Sequence, residues 1–84
     1  MSEELEHIKA RLNYLKARRT YLREDIPLLE QDRDWADVNA SAQTWYHANV
    51  KVNVAKRELK RVIAEIEELE RKKIELKMRE EWKV

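Results

Sequence analysis

His7 and His47 are the first side chains to weigh for chemistry, because a neutral imidazole can both move protons and bind metals. Glu3 and Glu4 precede His7 by four and three residues, a spacing that gathers all three on one face of a helix. Two or three ligands fall short of the four that a structural zinc takes, so a surface ion pair in the first turn is the expected use. His47 sits beside Trp45 and Tyr46, with Gln43 and Lys51 one turn away on either side. Pairing it with Ser41 as base and nucleophile would need a third group to orient the imidazole, and none is at hand. Asp32-x-Asp-x-x-Asp37 has the look of a calcium loop. It lacks the glycine and closing glutamate such a loop requires, and Trp35 lies inside it. An acidic, solvated helix start is the expected use of that cluster.

The chain of 84 residues has no cysteine and no glycine. The first absence excludes thiol catalysis and cysteine metal sites, and the second excludes phosphate-cradling glycine loops. No catalytic, cofactor-binding or metal-binding residue is therefore assigned, and an enzyme is not expected.

Lys16, Arg18, Arg19 and Arg23, with Tyr14 and Tyr21 interleaved, make the best case for nucleic acid. Clustered cations neutralise phosphates, and tyrosines stack on unpaired bases. A dedicated nucleic-acid domain is usually strongly basic, whereas this chain carries a net charge of only +1. A second basic run, Arg71-Lys72-Lys73, is offset by Glu67, Glu68 and Glu70. Small dimeric helical hairpins that bind RNA are an architectural parallel, but no motif here carries it.

The elements that would position these residues are helices. Charged residues make up 42% of the chain in near balance, as on solvent-facing helices laced by i,i+4 pairs. Leu5, Ile8, Leu12, Leu15, Leu22, Ile26 and Leu29 step by threes and fours, interrupted only at Arg19. That is a heptad with apolar a and d positions, the seam of a coiled coil or bundle. Ser2 can cap its start, and Glu3, Glu4 and Glu6 suit the positive end of the helix dipole. The spacing predicts a first helix over about residues 3–24.

Pro27 is the strongest punctuation, since a proline in a helix interior costs ~3 kcal/mol. Asp25-Ile26-Pro27 is accordingly the expected turn, with Gln31–Asp34 as the alternative. Helical spacing then resumes over about residues 28–48 and 50–82. Trp35, Val38, Ala42 and Trp45 form one stripe; Trp45, Ala48, Val52, Ala55, Leu59, Val62, Ile66, Leu69 and Leu76 form another. Two steps of three meeting at Trp45 read as a stammer. The β-branched, asparagine-rich stretch at 49–54 is weak in helix propensity. These segments are either one helix of roughly 80 Å or two joined near residues 49–53.

With Leu5 at a, Lys9, Lys16 and Arg23 fall at e, and Arg11 and Arg18 at g, so positive charge flanks the seam on both sides. A good partner needs acidic flanks, and the chain offers Asp32, Asp34 and Asp37, or Glu58, Glu65 and Glu70. A turn at Pro27 favours the aspartates and sets Leu22 near Leu29, Leu15 near Trp35, Leu12 near Val38 and Leu5 near Trp45.

The expected fold is thus all-α, an antiparallel, coiled-coil-like helical hairpin with a long or kinked C-terminal helix, or alternatively a three-helix bundle. In that arrangement the first helix is too short to cover the wide apolar face around Leu59, Val62, Ile63 and Ile66, which points to a homodimer. Ile74, Met78 and Trp82 drift away from that seam and imply a further neighbour. Leu59, Ile63, Ile66, Ile74, Met78 and Trp82 are therefore the candidate protein-interface residues. Trp35, Trp45 and Tyr46 are expected in the thick part of the core. No stretch reaches the ~20 apolar residues that span a bilayer, and the acidic start does not resemble a secretion signal, so the expected location is the cytoplasm. The function these features suggest is a small adaptor, scaffold or inhibitor acting through protein contacts, a role common among phage and viral accessory proteins. A nucleic-acid-binding helical dimer and a structural assembly component are the alternatives.

Overall fold

The computed structural model describes residues 3–82 and is an all-α helical hairpin: α1 spans Glu3–Asn39 and α2 spans Ala42–Trp82. The two helices lie side by side as a rod of 66 × 14 × 14 Å. Ser2, the expected cap of α1, lies outside the described residues.

The turn is neither at Asp25–Pro27 nor at Gln31–Asp34. Helix α1 runs through Pro27, and the chain reverses at Ala40-Ser41. The reason is visible in the heptad. After Ile26 and Leu29 the steps of four and three continue through Arg33 to Ala36, which is buried. Each further layer of packing adds apolar burial that offsets the hydrogen bond Pro27 cannot donate. A local penalty of one residue loses to several layers of tertiary contact.

Ser41 begins α2. Its Oγ accepts a hydrogen bond from the Thr44 backbone N–H at 3.3 Å, and its carbonyl accepts from Trp45 N at 3.0 Å. Serine is therefore the N-cap, and the third residue into the helix supplies the donor. At the other side of the turn, Ala40 N donates to the Ala36 carbonyl at 3.0 Å, satisfying one of the last carbonyls of α1, and Asn39 Nδ2 adds a bond to the Trp35 carbonyl at 3.1 Å. Asp37 lines a small hollow with Ser41 and Ala42, beside the first turn of α2, where a negative charge suits that helix's dipole.

Helix α2 is continuous from Ala42 to Trp82, without a break at 49–53, and the described residues form no third helix. Its low-propensity stretch is held by Val52, which is 0% exposed. The steps of three and four run without a stammer from Trp45 and Ala48 through Val52, Ala55, Leu59, Val62, Ile66 and Leu69 to Lys73 and Leu76. The core is the seam between the helices: Ile8, Leu12, Leu15, Leu22 and Ile26 pack with Ala55, Val62 and Ile66, and Leu29, Leu59, Leu69 and Leu76 pack against them. In this register Leu12, Leu15 and Leu22 serve α2 residues beyond Val52, not Val38, Trp35 and Leu29.

Candidate interaction surfaces

Ion pairs flank the seam on both edges and agree on one register of the hairpin. Arg18 Nε and Nη2 donate to the two carboxylate oxygens of Glu58 at 2.7 and 3.0 Å, a bidentate pair. One heptad away on the same edge, Arg11 meets Glu65 at 2.8 Å. On the opposite edge Lys16 meets Glu70 at 2.8 Å and Lys56 meets Glu30 at 3.6 Å. The acidic flanks that answer α1's cations are thus Glu58, Glu65 and Glu70, not the aspartates. The hydrogen bond from Arg18 holds the Glu58 carboxyl below its usual value of 4.5, against the opposing effect of partial burial. Arg11 does the same for Glu65, and Lys16 for Glu70.

These pairs bear on the four residues considered for nucleic-acid contact. Lys16 and Arg18 are engaged by α2. Arg19 occupies an a position in the seam, half-buried, with its Nε buried and unpartnered. Arg23 is exposed. The cluster is contiguous in sequence, but the helix splits it between the two edges of the seam and the seam itself. A basic surface that the sequence reading passed over lies on α2. Arg57, Lys60 and Arg61 border an exposed hollow with Ala64, and none of the three forms an ion pair among the described residues. Its signal was the run Lys56-Arg57-Glu58-Leu59-Lys60-Arg61.

The residues weighed for catalysis or metal binding do not converge. Ser41 is used as a helix cap, and His47 packs edge-on against Tyr46 with ring centres 5.9 Å apart. Asp34 accepts from Arg33 at 3.3 Å, while Asp32 and Asp37 line different hollows. The three aspartates lie within α1, where a calcium loop cannot form. Among the described residues, no group of three His, Cys, Asp or Glu side chains could hold a metal ion. No helix among them is long and apolar enough to cross a membrane.

The six expected interface residues divide into two sets. Ile66 is buried and Leu59 half-buried in the seam, and Ile63 is half-buried at its side. Their neighbour is α1, because a 37-residue α1 reaches along nearly all of the 41-residue α2. The premise that a second chain is needed to cover Leu59 and Ile66 is therefore overturned. Ile74, Met78 and Trp82 are exposed, Trp82 to 84%, and form an apolar patch near the open end of the rod.

One apolar surface was not anticipated. Tyr14, Tyr21, Leu28 and Trp35 recur at every seventh residue of α1 and all are exposed, Trp35 to 62%. They share heptad position c, which places them in one row beside the Arg11 and Arg18 edge. Arg11 lies over the Tyr14 ring at 5.2 Å and Arg18 over the Tyr21 ring at 5.1 Å. Tyr21 also lines a groove of about 310 Å³ with Val50 and Val54 of α2; Trp35 lines the adjoining one, about 380 Å³, with His47. Trp35 and Tyr46 are thus surface residues and only Trp45 is half-buried, against the expectation of a common core. The signal for the row was its own seven-residue period, masked by the stronger a/d series.

Compared with known protein families, curated proteins and solved structures, the chain matches none.

Proposed function

We propose that this protein is a non-catalytic interaction module of the cytoplasm, a small adaptor, scaffold or inhibitor that presents apolar helix faces to other proteins. The observation that carries this reading is a surplus of apolar surface. The seam between α1 and α2 is already filled, yet large apolar side chains still stand exposed along α1 and at Ile74, Met78 and Trp82. Scattered apolar residues need no explanation, but a row repeating on one helix face is the pattern by which helices are recognised. Aromatic anchors of this kind dominate binding energy where they are found.

The test is capture from a cell lysate by the full chain, repeated with Met78→Ala and Trp82→Ala. Loss of a specific partner in either variant supports the reading, and unchanged capture in both rules out the C-terminal patch. A second reading, binding to a nucleic-acid backbone, has a defined surface in Arg57, Lys60 and Arg61. Three phosphate contacts would give a log–log salt slope of about −3 on duplex DNA. Absence of binding at low salt eliminates it. A repeated part in a larger assembly draws on the same apolar faces, and appears as large species in the captured material.

A further inference from the structure

The outer face of α2, opposite the seam, consists of heptad positions b, c and f, every one of them exposed from Tyr46 to Trp82. Its apolar and central charged residues fall into four blocks about Ala64, an f residue. Toward the turn stand apolar Tyr46, Val50 and Val54, then basic Arg57, Lys60 and Arg61. Toward the open end stand acidic Glu67 and Glu68, then, beyond Arg71, apolar Ile74, Met78 and Trp82. Arg57 and Arg61 are four residues apart, a like-charge pair that weakens a helix left to itself. Glu58 and Glu65, the acids within a turn of Arg61, are held by Arg18 and Arg11. Among the described residues Arg57, Lys60, Arg61 and Glu67 form no ion pair, and Glu68 has only a 3.8 Å contact with Lys72.

We propose that a second copy of this chain docks on the outer face of α2, antiparallel, with the two-fold axis through Ala64. The claim rests on the reading of the hairpin as an interaction module and names the partner of its C-terminal patch. A two-fold axis between antiparallel helices keeps each edge of the face with itself, so b residues meet b residues and c residues meet c residues. Along the b edge Lys60 of one copy then falls within one residue, about 1.5 Å, of level with Glu67 of the other. Arg61 meets Glu68 in the same way along the c edge, and symmetry repeats both contacts. The apolar ends match in the same register. Val50 comes level with Met78 of the other copy, with Tyr46 and Val54 one turn to either side of the first and Trp82 and Ile74 one turn to either side of the second. Ala64 meets Ala64, and its small side chain, in a hollow bordered by the three cations, admits close approach. Parallel packing would instead set Lys60 on Lys60 and Glu67 on Glu67. One layer is not complementary: Arg57 comes level with Arg71, whose charge is offset by Glu67, Glu68 and Glu75 within a turn on its own helix. Exposed ion pairs decide orientation more than affinity, so the apolar ends supply the affinity. A contact about 54 Å long and about 10 Å wide covers about 540 Å² of each copy, about 1,100 Å² together, at the low end of specific interfaces.

The experiment uses the full chain. Light scattering at high micromolar concentration is expected to give twice the 10.2 kDa mass of the chain. Two double variants at exposed positions then separate the charges. Lys60→Glu/Arg61→Glu leaves only acids around Ala64, and Glu67→Lys/Glu68→Lys leaves only bases. Each alone dimerises at least tenfold more weakly while circular dichroism stays helical, and an equal mixture of the two recovers the parent affinity as a mixed pair. The chain has no cysteine, so Ala64→Cys, on the axis, oxidises to a disulfide-linked dimer, whereas the exposed Ala17→Cys of α1 does not. A monomeric parent overturns the proposal, as does a dimer indifferent to either double variant or a mixture no stronger than its components. Duplex DNA bound by a monomer through Arg57, Lys60 and Arg61 overturns it in favour of the second reading. A monomer that still captures a protein through Trp82 overturns the dimer and leaves the interaction module standing; a chain that does neither overturns both.

Discussion

Arg18 and Glu58 are 40 residues apart in the chain and meet through two hydrogen bonds of 2.7 and 3.0 Å. A planar guanidinium facing a carboxylate in this way is compatible with a single axial register of one helix on the other, because a shift of one turn breaks both bonds, and it agrees with the register of the buried seam. Arg11 with Glu65 repeats the constraint one heptad on, and Lys16 with Glu70 applies it from the opposite edge.

Three carboxyl groups held below their usual value make stability depend on acid. Glu58, Glu65 and Glu70 are each lowered from 4.5 by a hydrogen bond from a cation of α1. A carboxyl depressed in the folded state contributes stability that is present above the unfolded value and lost as pH falls through the folded one. The urea midpoint should therefore hold steady from neutrality down to about pH 5 and decline below that. Glu58→Gln should remove part of the decline. A midpoint independent of pH between neutrality and strong acid would show that these pairs do not distinguish the folded chain.

Pro27 is tolerated at a cost. Inside α1 it leaves the carbonyl one turn earlier, at Arg23, without its usual donor. Pro27→Ala should stabilise the hairpin by up to about 3 kcal/mol, less the ~0.4–1 kcal/mol by which proline restricts the unfolded chain. The check is the midpoint of thermal unfolding, which should rise. A fall would mean that the proline ring itself contributes packing on the exposed face.

The helical class was legible from spacing alone, since Leu5 through Leu29 and Trp45 through Leu76 step by threes and fours, and so was the need for an acidic flank. The choice of the aspartates over Glu58, Glu65 and Glu70 followed the misplaced turn. The turn itself was not legible. Proline and a β-branched, asparagine-rich stretch are loud local signals, and both lie inside helices here, whereas Ala40-Ser41 contains neither glycine nor proline. The better guide was the phase of the heptad. It runs unbroken to Ala36 once Arg33 is admitted as an a residue, and the next series begins nine residues later at Trp45. Ending the series at Leu29 and turning at Pro27 set Trp35 and Val38 opposite Leu15 and Leu12 in the seam, though both are exposed. Misplacing the turn shortened α1 and left Leu59 and Ile66 without a neighbour. The outer row of α1 went unseen for a related reason: one helix can carry two seven-residue patterns, and the longer one hides the other.

Leu22 and Ile74 are both aliphatic and both helical, yet they should respond differently to truncation. Leu22 is 2% exposed within the seam, so Leu22→Ala should cost about 2–5 kcal/mol through lost burial and the cavity left behind. Ile74 stands 58% exposed, so Ile74→Ala should change stability by no more than about 0.5 kcal/mol. Chemical denaturation at low protein concentration measures both. Comparable losses would place Ile74 against the hairpin itself and remove it from the candidate binding patch.

Arg19 breaks the apolar series at an a position, and its Nε is buried without a partner. A buried donor left unsatisfied costs about 1–3 kcal/mol, which a leucine would remove while adding apolar burial. Arg19→Leu should therefore raise the thermal midpoint, by about 4–8 °C for each kcal/mol gained in a chain of this size. The gain has a foreseeable penalty. A polar residue at a single a position discriminates against shifted or alternative helix pairings, and an uninterrupted leucine seam is compatible with more of them. The variant should accordingly unfold at higher temperature and at the same time populate more than one oligomeric state at high concentration. If Arg19→Leu is less stable than the parent, the guanidinium is supplying a favourable contact that outweighs its unpartnered nitrogen, and Glu70, whose carboxyl it helps to hold ionised, is the residue to test next.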